Sequence, residues 1–287
     1  MPKLITTKTD LRAWRASQPG MVSLVPTMGA LHEGHATLIR AAVAGQEPSG
    51  STVVSIFVNP LQFSPDEDLD RYPRTLEADL ALCAAEGVDV VFAPEVAEMY
   101  DPSRQVGVTS GRMGTVLEGA SRPGHFDGVL TVVTKLFTLV RPERAFFGLK
   151  DIQQFALVNR LVTDLDLGVE IVGVPTVRDH DGLALSSRNT YLSSEERELA
   201  LTLSRALRAG QAVRASSPSQ VIAAVREVLA EAATGRPDFV VDYAELVDFT
   251  TFGPVTDDFT GQAVVALAVR VGTTRLIDNV QLDLHPA

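Results

Sequence analysis

The stretch MVSLVPTMGALHEGHATLIRAAVAG, residues 21–45, decides the fold. MVSLVPT is an apolar run that reads as a buried strand. A glycine-containing turn follows it, and GHATLIRAAVAG reads as a helix. Strand, turn and helix open a βαβ unit, and the chain repeats that rhythm. STVVSIFVNP (51–60) reads as a strand, TLEADLALCAAEG (75–87) as a helix and VDVVFAP (88–94) as a strand. FDGVLTVVTKLFTLV (126–140) is an apolar helix, RAFFG (144–148) a short strand, KDIQQFALVNRLVTDL (150–165) a helix and VEIVGVPTV (169–177) a strand. The pattern predicts the α/β class, with a Rossmann-like doubly wound parallel sheet. Ligands of such sheets collect beyond the C-terminal strand ends. The polar stretches PTMGALHEGH, VNPLQF and FGLKD fall at those ends.

The rhythm changes near residue 176. VRDHDGLALSSRNTYLS is a polar loop, and Ser193 with Glu196 forms a capping box for the helix that follows. A second helix, PSQVIAAVREVLAEAAT, precedes strands such as DFVVDYAELVD and QAVVALAVRVG. The expected division is a Rossmann-like domain over 1–176 and a smaller α+β domain over 177–287.

The 287 residues are 45% hydrophobic, enough for a sizeable core. A net charge of -11 without a long Lys/Arg run argues against sequence-independent nucleic-acid binding. Small anions are still served by local cations. Cys83 is the one cysteine, so it makes no internal disulfide and offers no thiolate set for zinc; LALCAAEG makes it a small buried hydrophobe. The N-terminus lacks the apolar core of a signal peptide, and no run is long enough to span a bilayer. A cytoplasmic protein without a membrane segment is expected.

Four pieces carry chemistry. His32 and His35 stand three apart, which breaks the H-E-x-x-H template of zinc proteases, and no further His/Cys cluster supplies a third ligand. At a strand-to-helix turn they suit an anion, helped by free N–H groups of the helix start and by Gly29 and Gly34. In FGLKDIQQF, Lys150 can reach a phosphate and Asp151 can accept ribose hydroxyls, although an ordinary helix start has the same composition. In LALSSRN, Ser186, Ser187 and Arg188 suit a polyphosphate or a solvated turn. In VNPLQF, Asn59 and Gln62 can orient a small polar substrate, or serve the turn around Asn-Pro. Together they describe a nucleoside triphosphate site with neutral amides beside it. The acidic loop SPDEDLDRYPRT (64–75) fits a lid or a plain surface loop.

PTMGALHEGH, SIFVNPLQF, RPGHFDGVLTVVTKLF, FFGLKDIQQ and DGLALSSRNTYLS, in this order, resemble the pantothenate synthetase (pantoate–β-alanine ligase) family over nearly the whole chain. HEGH is also similar to the HxGH signature of the wider nucleotidyltransferase superfamily. The resemblance implies that pantoate's carboxylate attacks the α-phosphorus of ATP, releasing pyrophosphate, and that β-alanine then attacks the pantoyl adenylate, releasing AMP and pantothenate. It implies an ATP site lined by Met28, Gly29, Ala30, Leu31, His32, Glu33, Gly34 and His35, with His35 the usual proton donor. Gly148, Leu149, Lys150 and Asp151 would hold ribose and phosphates, Val177 and Leu185 would contact adenine, and Ser186, Ser187 and Arg188 would grip the phosphates. His32, Lys150 and Arg188 would join His35 in catalysis. Gln62 and Gln154 would bind pantoate, with Asn59 and Arg122 beside them and Gln62 also near β-alanine. Mg2+ would bridge phosphate oxygens with Asp79 assisting. The family stretch there is more acidic than LEADL, where Ala78 takes one position. The first domain would bind ATP and pantoate, the second would cover the site, and the enzyme would be a homodimer. Two rivals stand beside this reading. One is another HxGH-type nucleotidyltransferase with a different acceptor, and the other is an ATP-binding regulatory module without catalysis.

Overall fold

A computed structural model describes residues 1–64 and 69–285. Residues 65–68 of the acidic loop lie outside the described residues, and with them part of the expected lid. The chain forms two compact units, Met1–Leu149 with Leu157–Pro175, and Lys150–Ala156 with Thr176–Ala287.

The first unit holds strands β1 (Lys3–Ile5), β2 (Val22–Thr27), β3 (Ser51–Ile56), β4 (Val90–Phe92), β5 (Arg144–Gly148) and β6 (Glu170–Val174). All pair in parallel, in the order β1-β4-β3-β2-β5-β6. Helices α1 (Lys8–Ala16), α2 (Glu33–Ala44), α3 (Leu76–Ala85), α6 (His125–Val140) and α7 (Ile152–Asp164) alternate with the strands; α4 (Val96–Met99) and α5 (Glu118–Ser121) are single turns. The N-terminal Ile152–Ala156 of α7 groups with the second unit. A parallel sheet covered on both faces needs strands that are apolar throughout. Val22, Leu24 and Val25 of β2 are accordingly 0% exposed. Cys83 is likewise fully buried, and burial, with the nearby Asp79 charge, pushes its thiol up to about 12.

The strand order reverses direction at β2. From there the chain steps outward through β3 and β4 on one side and through β5 and β6 on the other. The switch point therefore lies between β2 and β5, the place where open α/β sheets bind ligands. The chain leaves β2 into MGALHEGH and leaves β5 into LKD.

The second unit carries α8 (Ser194–Ala212), α9 (Pro218–Ala233) and an antiparallel sheet of β7 (Phe239–Asp248), β8 (Gly261–Val271) and β9 (Thr274–Leu284). Ser193 and Glu196 form the expected capping box on α8, and Ser217 with Gln220 repeats it on α9. Leu203, Leu207, Val221, Val225 and Leu229 of the two helices share one core with Val265, Leu267 and Val269 of β8.

Candidate active site

At the end of β2, Thr27 anchors the turn: its hydroxyl donates to the Ser55 carbonyl at 2.7 Å and accepts from Gly29 N–H at 3.2 Å. Gly29 (φ 84°) and Ala30 (φ 51°) are both left-handed. The turn then delivers His32 as the N-cap of α2. His32 Nδ1 accepts from Gly34 N–H at 3.1 Å, and His35 Nδ1 accepts from His32 N–H at 3.3 Å. The two imidazoles thus act as a reciprocal capping box, with ring centroids 4.2 Å apart. Capping boxes are ordinarily sought as Ser/Thr followed by Glu/Gln, so this one was not legible in HEGH. Glu33, on the exposed side of the same turn, is held below the usual carboxylate range by a hydrogen bond from Arg40.

Asp79, expected beside magnesium, is 2% exposed and lies under this turn. Its Oδ2 accepts Ala30 N–H at 3.0 Å, and its Oδ1 accepts Leu31 N–H at 2.8 Å and the Thr75 hydroxyl at 3.2 Å. Both oxygens serve the protein's own donors. Among the described residues, no group of three or more His, Cys, Asp or Glu side chains could hold a metal ion. Asp79 is thus engaged on both oxygens by the β2 turn and by Thr75.

A second cluster follows β3. Asn59 caps the 3-10 turn Pro60–Gln62 by accepting Leu61 N–H, and it is only 1% exposed. Its Oδ1 also accepts the Tyr100 hydroxyl at 2.8 Å; burial holds that phenol protonated by pushing its ionisation up. Asn59 Nδ2 donates to Gln62 Oε1 and to the Gly128 carbonyl, both at 3.1 Å. Asn59 therefore performs the turn chemistry and orients Gln62. Gln62 Nε2 in turn donates to Met28 Sδ at 3.0 Å, joining this cluster to the β2 turn. Arg122 reaches the same place directly, Nη2 donating to the Gln62 carbonyl at 3.4 Å, and also through a relay. Its Nη1 lies 3.0 Å from His125 Nε2, and His125 Nδ1 lies 2.8 Å from the Gln62 carbonyl. Because a carbonyl only accepts, His125 Nδ1 carries the proton and its Nε2 accepts from Arg122. Tyr100, His125 and Gly128 escaped the sequence reading; RPGHFDG was visible, but their partners lie 41 to 69 residues away.

Gly148 ends β5 and Leu149 follows it in the first unit, and the second unit holds the other candidates. Lys150 sits in the 3-10 turn Leu149–Asp151 with its side chain 20% exposed, and Nζ is 4.0 Å from Asp151 Oδ1. Its carbonyl accepts from Asn279 Nδ2 at 2.8 Å. Asn279 follows Asp278 on β9, which pairs bidentately with Arg178 at 2.7 and 2.9 Å. Neither residue was singled out from the sequence, because only β9 pairing brings them to positions 150 and 178. Val177 accepts Leu185 N–H at 2.9 Å, closing a hairpin whose end is Ser186. Ser186 caps a 3-10 turn over Ser187–Tyr191 by accepting Arg188 N–H at 3.3 Å, and Ser187 and Arg188 are exposed. Gln154 lies half-buried in the first turn of α7.

A sequence model of the family described as "Pantoate-beta-alanine ligase" matches residues 3–281. The chain belongs to the pantoate–β-alanine ligase family. Among curated members, the pantothenate synthetase of Thermobifida fusca is 57% identical over 99% of this chain and 96% of its own. That of Acidothermus cellulolyticus is 53% identical over 98% and 92%. The crystal structure of the Thermus thermophilus pantothenate synthetase superimposes with a TM-score of 0.87 at 47% identity, covering 97% of this chain and 98% of that one. A pantoate–β-alanine ligase from Francisella tularensis, solved with β-γ ATP and β-alanine, gives 0.78 at 31% identity with 100% coverage of both. The ligase family thus accounts for both units of the fold.

Proposed function

We propose that this chain is an ATP-dependent ligase that condenses pantoate with β-alanine to pantothenate. The carrying observation is the extent of the family match, residues 3–281, with relatives covered almost end to end. In the first step, a pantoate carboxylate oxygen bonds to the α-phosphorus and the bond to pyrophosphate breaks. In the second, the β-alanine nitrogen bonds to the pantoyl carbon, the bond to AMP breaks, and the nitrogen loses a proton. Neither step needs a covalent enzyme intermediate. Both need fixed donors where negative charge gathers.

The residue roles are those that the family resemblance implies, and the chemistry is compatible with them. His32, His35, Lys150, Ser186, Ser187 and Arg188 supply donors to the phosphates. Gly148, Leu149 and Asp151 serve the ribose side, and Val177 with Leu185 serves adenine through backbone groups. Gln62 and Gln154 bind pantoate, with Asn59 and Arg122 holding Gln62 in place. Magnesium would accompany ATP and offset the charge of its phosphates. An ATP-consuming biosynthetic ligase belongs in the cytoplasm, and a homodimer goes with the family; light scattering tests the dimer. Among the described residues, no helix is long and apolar enough to cross a membrane.

The test supplies ATP, magnesium, pantoate and β-alanine to the purified chain. AMP and pantothenate should form only with both acids present, and ATP–pyrophosphate exchange should need pantoate alone. AMP release indifferent to pantoate would favour a nucleotidyltransferase with another acceptor. ATP binding without exchange would favour a regulatory module.

A further inference from the structure

We propose that Asp79 is a positioning residue for adenylate formation: its carboxylate fastens the turn that delivers His32 and His35, and it is not a ligand of the magnesium that accompanies ATP. The proposal rests on the ATP-site reading above. Successive backbone amides turned toward one point make an anion nest. The amides of Ala30 and Leu31 form such a nest, and the anion in it is the chain's own, at 3.0 and 2.8 Å.

Three further observations fit this role. Ala30 is a non-glycine residue at φ 51°, a conformation that persists only when its surroundings hold it. A Cβ on Gly29 would stand 3.0 Å from Asp79 Oδ2, so the carboxylate abuts the turn from Gly29 through Leu31, and His32 is the next residue. At 2% exposure, with Oδ1 accepting twice and Oδ2 once, the carboxylate has the contacts of a structural anion rather than of a metal ligand open to water.

The test is Asp79→Asn in the full chain. The side chain keeps its shape, but one acceptor oxygen becomes an NH2 group facing an N–H donor. We expect kcat of pantoate-dependent ATP–pyrophosphate exchange, per folded molecule, to fall roughly 30-fold or more, since ~1 Å of misplacement costs about 10²-fold. Magnesium half-saturation and the pantoate KM should stay within about twofold, because the groups that meet ion and acid are untouched. In wild type, the Ala30 and Leu31 amide signals should lie downfield, as for amides bound to a carboxylate, and should not move when magnesium alone is added.

Exchange near the wild-type rate per folded molecule, with only the melting temperature lowered, would overturn the proposal. So would a large rise in magnesium half-saturation with the rate restored by excess magnesium. Should Asp79→Asn not fold, the wild-type amide signals decide: movement with magnesium, or ordinary shifts, refutes the clamp. Absence of exchange in wild type would instead count against the ligase reading, and the amide signals would still judge the clamp.

Discussion

Gly128→Ala sets two effects of opposite sign against each other. Gly128 lies inside α6, where alanine is worth about 1 kcal/mol more than glycine by helix propensity alone. Yet a Cβ at this position would stand 2.1 Å from the Leu61 carbonyl oxygen, 2.4 Å from its carbon and 2.7 Å from the Gln62 nitrogen. All three are backbone atoms, so no flexible side chain can yield. Returning from 2.1 Å to an ordinary 3.4 Å contact requires about 1.3 Å of movement between α6 and the turn. Overpacking of this kind costs roughly 1–3 kcal/mol, and a backbone-on-backbone clash belongs at the upper end. The net expectation is about 2 kcal/mol of destabilisation. At ~2–4 °C per kcal/mol for a unit of this size, the melting temperature should fall roughly 4–8 °C. The moving turn carries Gln62, and the Asn59 contact to the Gly128 carbonyl moves with it. The pantoate kcat/KM should therefore drop on the order of 10²-fold, as for a ~1 Å misplacement. Thermal melts and pantoate-dependent pyrophosphate exchange measure both. A melting temperature equal to or above wild type would mean that helix propensity wins and the close approach is not a constraint.

Lys150→Ala should cut exchange by about 10²–10³-fold, the scale of losing one oxyanion-type donor, with the melting temperature unchanged; a near-normal rate would remove Lys150 from the machinery. Asn279→Leu leaves the Lys150 carbonyl without its amide donor, and should cost roughly 1–3 kcal/mol of stability and slow exchange while leaving the pantoate KM in place. Unchanged melting and exchange would show that β9 does not hold this turn. Cys83 makes stability alkali-sensitive. Its folded-state ionisation is raised from 9.0 to about 12, so the unfolded chain loses the thiol proton first. The stabilisation is complete below pH ~9 and is lost as pH rises toward ~12. Unfolding in urea across that range should show a steeper alkaline loss for wild type than for Cys83→Ala, and equal slopes would contradict it.

The sheet was legible because its strands are continuous apolar runs punctuated by Gly, Pro and Asn, and the capping box at Ser193 could be read from two letters. β1 was not legible. Lys3–Ile5 is too short for any period to show, and its partner, β4, begins 87 residues later. The candidate residues could be named from motifs, but their supports could not. The family resemblance placed Asp79 beside magnesium, and its hydrogen bonds to the amides 48 and 49 residues upstream gave no signal in the sequence. Asn279 and His125 were hidden for the same reason: a polar residue within a strand or at a helix start reveals its partner only once the fold is assembled.

The cap on α2 has a consequence for protons. A ring nitrogen that accepts an N–H keeps its lone pair, so a neutral His32 or His35 bears its hydrogen on Nε2. The fold thereby selects one tautomer for both rings before any nucleotide arrives. A neutral imidazole cannot give that hydrogen away without becoming imidazolate. To act as an acid, His35 would first have to be protonated at Nδ1, which breaks its bond to the His32 amide and loosens the helix start. If the pair serves the proposed ATP site, this arrangement favours imidazoles that lend a hydrogen bond to a phosphate oxygen and keep the proton throughout.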